Sequence, residues 1–469
     1  MNPVAPAQRG SGKYCPANAT DPRRFRLAPI ATSACAAVAL TLAAPARAAE
    51  TAPDPALSDP AAADTAVGDT AAGDPGGVGQ PTPPPFETSP QTPPSGLKLG
   101  GAIRGRYDLR FNAAGSDGQR RTSSNLSFDT LILKADYDSP TFFGAAQYRF
   151  YGGSFLYGKA SGYHNYPGEI SFPVYAYAGV KLSKHDKVAV GIQPVPFDDQ
   201  FWGSAFLNSM GFVIGLEEVY NAGITYAHEE SSFKIEAGFF PTTAPNAFGI
   251  SEDAARYSVN IVKGDPANPL ASRNAERNMM VGHAQYRLAS FDSGELSVSG
   301  SAWLSTVHNF DTDRNGWRRA FALSLKGTKG SWHAKLLVAR QDMSLRNPGS
   351  EQTVTVGNFD APFNIAADGT LLFGELGRKV ETGSFPFSLQ LFANYAYFAK
   401  ARSEFKDSQR LNLGAYWADK ATNRIRIWSE LLVGRNDPFV GAGQYATGAA
   451  QGGDDHIKVS FLAVFGYYF

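Results

Sequence analysis

The chain has 469 residues, with 43 basic and 43 acidic side chains and so no formal net charge at pH 7. A chain without excess positive charge has no overall attraction to nucleic acid, which argues against that class of partner. It also lacks any run of about 18 apolar residues, which argues against a helical membrane protein. A transmembrane β-barrel remains compatible with this composition, because only alternate residues of its strands meet lipid.

The N-terminal segment has the features of an export signal. Arginines within residues 23–26 precede a small-residue apolar stretch over 27–44, and Ala-Arg-Ala at 46–48 fits a cleavage site. This order predicts a signal peptide over residues 1–48 that directs Sec-type export. The arginine pair also fits twin-arginine export, although a basic n-region is the commoner explanation. Cys15 and Cys35 both lie upstream, so the mature chain is predicted to contain no cysteine.

Residues 49–96 are rich in Pro, Ala, Gly and Asp and contain no Lys or Arg. Such a segment has too little apolar surface to form a core, so it is predicted to be a disordered periplasmic linker. Two interpretations stay open: a spacer or tether in the periplasm, and an extension without a function. Its aspartates recur at regular spacing, at Asp54, Asp59, Asp64, Asp69 and Asp74.

From residue 97 to the C-terminus, segments with a hydrophobic period of two follow one another. In the first, 97–111, Leu99 and Ile103 share an apolar face while Arg104 and Arg106 lie on the other. Charged faces must line a lumen, because a charge facing lipid costs a few kcal/mol at mid-bilayer. Short connections pair these segments and predict sixteen strands in all. They lie at 138–140, 183–186, 229–232, 291–295, 327–330, 381–384 and 419–423.

Longer connections alternate with the short ones, an order that several soluble sandwiches in series would have no reason to keep. The fold is therefore predicted to be all-β: a transmembrane antiparallel up-and-down β-barrel of about 16 strands over residues 97–469. Its long loops are expected to be extracellular and its short turns periplasmic. The predicted long loops are 112–126, 152–173, 197–221, 241–279, 305–319, 342–371, 399–410 and 436–456.

A barrel of this size leaves an aqueous channel, and one loop is a candidate to narrow it. The third long loop, 197–221, has an apolar and aromatic middle flanked by acids, which favours burial in the lumen. Packing on the rim or at a subunit contact is the alternative. The candidate constriction residues are Asp198, Asp199, Trp202, Glu217 and Glu218.

Basic residues outnumber acids on the predicted lumen faces, and rings of basic side chains favour anions in a narrow pore. A solvated wall of paired charges remains the alternative interpretation. The candidate pore-lining basic residues are Arg104, Arg106, Arg110, Lys134, Arg149, Lys234, Arg287, Lys335, Arg424 and Arg426.

The opening strand 97–111, the phrase QPVPF at 193–197 and the closing GYYF resemble Gram-negative outer-membrane porins. The resemblance is to the phosphate-selective (O/P type) superfamily of sixteen-stranded porins. It implies an outer-membrane location, a homotrimer, contact with outer-membrane lipid and lipopolysaccharide, and recognition of Phe469 by the barrel-assembly machinery. The third loop contains no Lys or Arg, so the lysine cluster for phosphate is not evident in this chain.

The predicted function is a porin that passes small hydrophilic solutes passively, with modest anion preference and without a cofactor or metal. The histidines are scattered without metal or triad spacing, which argues against an enzyme. A channel for sugars or other organic solutes is the closer alternative, and a structural tether is a weaker one. Aromatic residues that would offer stacking faces to a sugar are Trp202, Trp303, Trp317, Tyr151 and Tyr163.

Overall fold

The computed structural model describes residues 96–114, 119–152, 163–268, 270–441 and 445–469. The predicted signal peptide, and all of the predicted linker except Gly96, lie outside these residues. Sixteen antiparallel strands form a closed barrel, which confirms the predicted fold class and strand number. The barrel strands are β1 (Gly96–Ala114), β2 (Arg120–Asp138), β3 (Phe142–Tyr151), β4 (Ile170–Lys181), β5 (Asp186–Pro194), β6 (Tyr220–Glu229), β7 (Phe233–Thr243), β9 (Asn274–Phe291), β10 (Gly294–Asn309), β11 (Arg314–Lys329), β12 (Trp332–Ser344), β15 (Gly369–Val380), β16 (Phe387–Lys400), β17 (Ser408–Asp419), β18 (Ile425–Arg435) and β19 (Ile457–Tyr468).

The first and last strands close the barrel. β1 pairs with β19 in an antiparallel register that runs from Ala102 opposite Tyr468 to Phe111 opposite Val459. The terminal residue extends this ladder, because Phe469 exchanges backbone hydrogen bonds of 2.9 and 3.0 Å with Gly101. Closure of this kind leaves no unpaired sheet edge within a bilayer.

Alternate residues of each strand face lipid and lumen, as strand geometry requires. On β11, Phe321 and Leu323 are half exposed on the outer surface, while Ala320 and Ser324, which flank this pair, are buried on the inner side. The same alternation on the other strands produces an apolar outer surface, which suits the bilayer. No helix in the described residues has the length and apolarity to cross a membrane.

The short connections are turns, as predicted, but two of the predicted long loops were wrong. Residues 112–126 lie mostly in β1 and β2, and residues 305–319 lie mostly in β10 and β11, which are joined by only residues 310–313. The physical reason is that these strands extend past the apolar band. There both faces meet water, so the hydrophobic period of two disappears from the sequence although the strands continue.

Secondary structure also forms within the long loops, where the sequence did not indicate it. β8 (Asn260–Ile261), β13 (Thr353–Asn358) and β14 (Ala361–Ala366) form a separate three-stranded sheet in the order β14-β13-β8. The connection between β5 and β6 contains the single-turn helix α1 (Met210–Val213), whose N-cap Ser209 accepts a hydrogen bond from the Gly211 amide.

Candidate functional site: the constriction loop

Loop 3, defined as residues 195–219 between β5 and β6, crosses the inside of the barrel. Its side chains are buried almost throughout, and its aromatic residues include the fully covered Trp202 and Phe206. It contacts β10 and β11, β12 and β15, and finally β17 and β18, and these last two strands lie opposite β5 and β6 in the barrel. The predicted constriction loop therefore does lie in the lumen.

A lysine–aspartate cluster, made of Asp198, Asp199, Lys326 and Lys335, fixes the start of loop 3. The Lys335 ammonium lies 2.5 Å from Asp198 Oδ2 and 2.9 Å from Asp199 Oδ2, and Lys326 lies 3.1 Å from the same Asp199 oxygen. Asp198 also accepts a 2.7 Å hydrogen bond from Ser324 Oγ. Although burial opposes ionisation, the two ammonium groups hold the pKa of Asp199 below its usual range.

The middle of loop 3 is held by two wall carboxylates that accept from its backbone. Glu375 on β15 accepts from the Ser204 amide at 2.7 Å and from the Ser204 hydroxyl at 2.7 Å. Glu430 on β18 accepts from the amides of Phe206 and Leu207. A carboxylate that accepts several hydrogen bonds is a strong partner, because each such bond involves a full charge.

Arg318 on β11 fixes the far end of loop 3. Its guanidinium donates to the carbonyl oxygens of Ile214 and Gly215 at 3.1 and 2.9 Å, and to Glu276 at 3.0 Å. It also lies 4.8 Å from the ring centroid of Trp303. Arg318 and Glu375 were not predicted as site residues. Arg318 fell within the predicted long loop 305–319, whereas the alternation of Glu375 with the apolar Leu372 and Leu376 could have placed it on the lumen side.

The two acids at the end of loop 3 stabilise the loop itself. Glu217 accepts from the Trp202 amide at 3.0 Å and from the Ser209 hydroxyl at 2.5 Å. Burial raises the pKa of Glu217, although these donors oppose the shift. Glu218 accepts from the hydroxyl of Tyr257 at 2.6 Å, which connects loop 3 to the next long loop. Both acids are therefore internal supports and do not face open lumen.

Of the predicted basic wall, Arg104 and Arg149 face inward but are covered by loop residues. Arg104 donates to Asp129 at 2.7 Å and lies 5.0 Å from the ring centroid of Phe206. Arg149 lies 4.6 Å from the ring centroid of Tyr257. Both side chains are 1% exposed or less, so the loops shield them from lumen water. Alternation along the strand predicts a residue's face but gives no information about what packs over it.

The remaining predicted basic residues differ in exposure. Arg106 is buried and donates to Asp108 at 2.7 and 2.6 Å, while Lys335 belongs to the lysine–aspartate cluster. Arg110 and Arg426 are half-buried and Arg424 is exposed. Three further positions form ion pairs toward the short-turn end of the lumen: Lys134–Asp136 (3.0 Å), Lys234–Glu236 (2.9 Å) and Arg287–Glu295 (2.8 Å).

The extracellular loops are joined by a carboxylate in the turn between β13 and β14. Asp360 accepts from the Tyr163 hydroxyl at 2.6 Å and from the amides of Ile250 and Ser251 at 2.6 and 2.9 Å. It therefore connects three separate loops above the barrel. The aromatic residues considered for sugar stacking do not present open faces: Trp202, Trp303, Tyr151 and Tyr163 are buried, and Trp317 lies on the outer wall beneath Arg319.

A serine, a histidine and a glutamate meet beneath loop 3, but not in the arrangement of a hydrolase triad. Ser204 Oγ lies 3.2 Å from His333 Nε2, and Glu375 lies 3.0 Å from that same nitrogen. In a triad the acid contacts the opposite ring nitrogen, which leaves the first free to take the serine proton. Among the described residues, no group of three or more His, Cys, Asp or Glu is placed to hold a metal ion.

Comparison with known proteins identifies the fold. No family model matches the chain, and no curated protein matches its sequence significantly. Pseudomonas putida OprB matches in structure, with a TM-score of 0.50 and 9% identity over 80% of this chain and 94% of that one. The chain has a porin-like fold. The channel DcaP of Acinetobacter baumannii (TM-score 0.48, 10% identity, 80% and 97% covered) and an anion-selective porin from Comamonas acidovorans (0.46, 14%, 80% and 99%) are also similar.

This porin-like fold fixes the location of the protein. A closed barrel with an apolar outer face satisfies every backbone group inside a bilayer, and such single-chain barrels belong to bacterial outer membranes. The protein is therefore an outer-membrane protein of a Gram-negative cell. At identities this low, the likeness establishes the fold alone, and the solute has to be argued from the residues of this chain.

Proposed function

We propose that the protein is a passive outer-membrane channel for small hydrophilic solutes, narrowed by loop 3 and modestly selective for anions. The observation that carries this proposal is loop 3 itself, which extends from β5 across the lumen to hydrogen-bond with β18. A sixteen-stranded barrel would otherwise leave a wide aqueous channel. A loop of this kind restricts the size of the solutes that pass. Solutes move down their own concentration gradient, so transport needs no source of energy.

The charge selectivity is proposed to arise at the short-turn mouth of the lumen. Most inward cations deeper in the wall are paired with acids or covered by loop residues, so they contribute little net field. Lys98 and Lys187 differ, because both lie on inward faces near this mouth, are exposed, and form no ion pair among the described residues. Unpaired cations at a pore entrance raise the local anion concentration, and ionic strength weakens the effect.

The proposal extends to partners that fit this fold. A homotrimer is one, and delivery to the membrane by the barrel-assembly machinery through Phe469 is another. Trimer formation is checked by mass measurement of the detergent-solubilised protein. Delivery is checked by the amount of folded barrel in cells that express a chain without Phe469.

Single-channel recording in a planar bilayer under a KCl gradient tests the function. The reversal potential should show chloride preference, and the double substitution Lys98→Gln, Lys187→Gln should reduce it. Arg378→Gln is the matched control, because Arg378 is exposed on the outer face of β15, where the wall separates it from the pore. Folded wild-type protein that conducts no ions would contradict the channel, and unaltered selectivity in the double variant would contradict the proposed origin of anion preference.

A further inference from the structure

Three arginines lie on the outer surface of the barrel, toward the extracellular ends of three of the four adjacent strands β9 to β12. They are Arg277 on β9, Arg319 on β11 and Arg340 on β12, and together they are called the outer arginine cluster. Arg319 alternates with the buried, inward Arg318, and Arg340 lies directly opposite the exposed Phe321 in the β11–β12 register. All three guanidinium groups therefore face away from the lumen, where a transport role would not place them.

The cluster lies at the upper edge of the apolar band. Along β11 the outward residues Leu325, Leu323 and Phe321 are apolar, and the next outward residues are Arg319 and Trp317. The eight residue-to-residue steps of tilted strand from Gly327 to Arg319 rise about 20 Å across the bilayer, close to the height of about 25 Å usual for such a band. Arg319 thus reaches the level of the lipid headgroups in the outer leaflet.

The positive charge of the cluster is only partly neutralised. Arg340 forms an ion pair of 2.5 Å with Asp342. Arg277 and Arg319 form no ion pair among the described residues, and each lies against an aromatic ring. Arg319 lies 3.9 Å from the ring centroid of Trp317, and Arg277 lies 5.9 Å from that of Phe310. Stacking on a ring leaves the edge of a guanidinium available for an anion.

Another outward arginine at the same end of the barrel provides a contrast. Arg435 on β18 donates to Asp455 at 2.8 Å, so its charge is neutralised within the chain. Arg277 and Arg319 have no such pair, although Asp342, the partner of Arg340, lies opposite Arg319 in the strand register. Two cations without an ion pair above a lipid-facing apolar surface match a ligand with phosphates above acyl chains. Arginine binds phosphate oxygens in a bidentate manner, and a second copy of this chain would have to supply acids instead.

We propose that the outer arginine cluster binds the phosphate groups of an outer-leaflet glycolipid of the lipopolysaccharide type, with its acyl chains against β9 to β12. The proposal does not depend on conduction, since every residue involved lies on the outer wall. The ring of Trp317 stacks against the Arg319 guanidinium, so its fluorescence reports on the site.

The test measures binding of bisphosphorylated lipid A to the full chain, purified in a non-ionic detergent without lipopolysaccharide, by native mass spectrometry and tryptophan fluorescence. Arg277→Gln, Arg319→Gln should weaken binding about 30-fold, at roughly fivefold for each basic residue near a membrane surface. Arg378→Gln should leave it unchanged. That control is closely matched, because Arg378 is also outward and lies 5.0 Å from the ring centroid of Trp332, but at the opposite rim.

Three results would overturn the proposal. Unchanged lipid A affinity in the double variant, with a normal heat-modifiable shift on gels to show folding, removes the site. Displacement of lipid A by inorganic phosphate at similar concentration assigns the cluster to free phosphate. A change of oligomeric state in the variant without a change in lipid binding assigns this face to a second copy of the chain. Weaker binding of monophosphoryl lipid A than of the bisphosphorylated form would support the proposed contact.

Discussion

Replacing Lys335 with methionine should release the start of loop 3 while leaving the barrel wall intact. The Lys335 side chain is 6% exposed and its partner Asp198 is 2% exposed, so the substitution leaves a buried carboxylate without its counter-charge. Removing one partner of a buried ion pair costs about 3–5 kcal/mol. If that cost falls on the inserted state of the loop, its equilibrium with a displaced state shifts by about 10²- to 10⁴-fold. The wall should survive, because its backbone ladders do not involve this side chain.

Single-channel recording measures the effect, and Lys326→Met is the matched control. Lys326 lies directly opposite Lys335 in the β11–β12 register and contacts the same Asp199 oxygen. It is 39% exposed, so its pair with Asp199 contributes no more than about 1 kcal/mol. Both variants lose one positive charge at the same place, but only Lys335→Met should raise the conductance and its fluctuations. Equal conductance in the two variants would refute the reasoning that the buried pair holds the loop.

Three other outcomes are expected. The pKa of Asp199 lies below its ordinary value of 3.8, so the stabilisation from its ion pairs is complete above pH 3.8 and is lost only as the pH falls through the lowered pKa. Wild-type conductance steps should therefore stay constant from pH 7 to about pH 4. An increase in conductance within that range would contradict the assignment. Asp360→Ala should speed amide hydrogen exchange at Ser251 by at least about tenfold, through the loss of charge-assisted hydrogen bonds, and unchanged exchange would show that other contacts hold these loops. Leu323→Arg should lower the free energy of unfolding in lipid vesicles by about 2–4 kcal/mol, whereas Thr306→Arg near the upper rim should cost about 0–1 kcal/mol, and equal costs would argue against the assigned depth of the apolar band.

The barrel could be predicted from the sequence because lipid imposes a local rule. Each strand must alternate between an apolar and a lumen face, and the pattern is visible within about ten residues. The rule fails where lipid ends. Residues 120–125 belong to β2 but are polar on both faces, and residues 314–316 belong to β11 but likewise carry no apolar side chain. Strand number was therefore predictable, and strand length was not.

The placement of site residues was predictable only as far as their face. Arg104 and Arg149 do point inward, as alternation requires, but whether they meet water depends on Phe206 and Tyr257, which lie far away in the chain. The three-stranded sheet of β8, β13 and β14 has the same origin, because its strands come from two different loops. Contacts between distant loops leave no periodic signal in either segment, so the position of loop 3 was inferred from its composition.

That composition also explains why the constriction and the neutral wall occur together. Loop 3 contains four acids and no basic residue, so it cannot neutralise its own charge when it enters the lumen. Asp198 and Asp199 form ion pairs with Lys326 and Lys335 on the wall, while Glu217 accepts hydrogen bonds from donors within the loop. Every wall cation that holds the loop is thereby removed from the field that a permeating ion experiences. In the proposed channel, loop 3 would therefore weaken charge selection at the narrowest level, which is why we propose that selection comes from residues without an ion pair nearer the mouth.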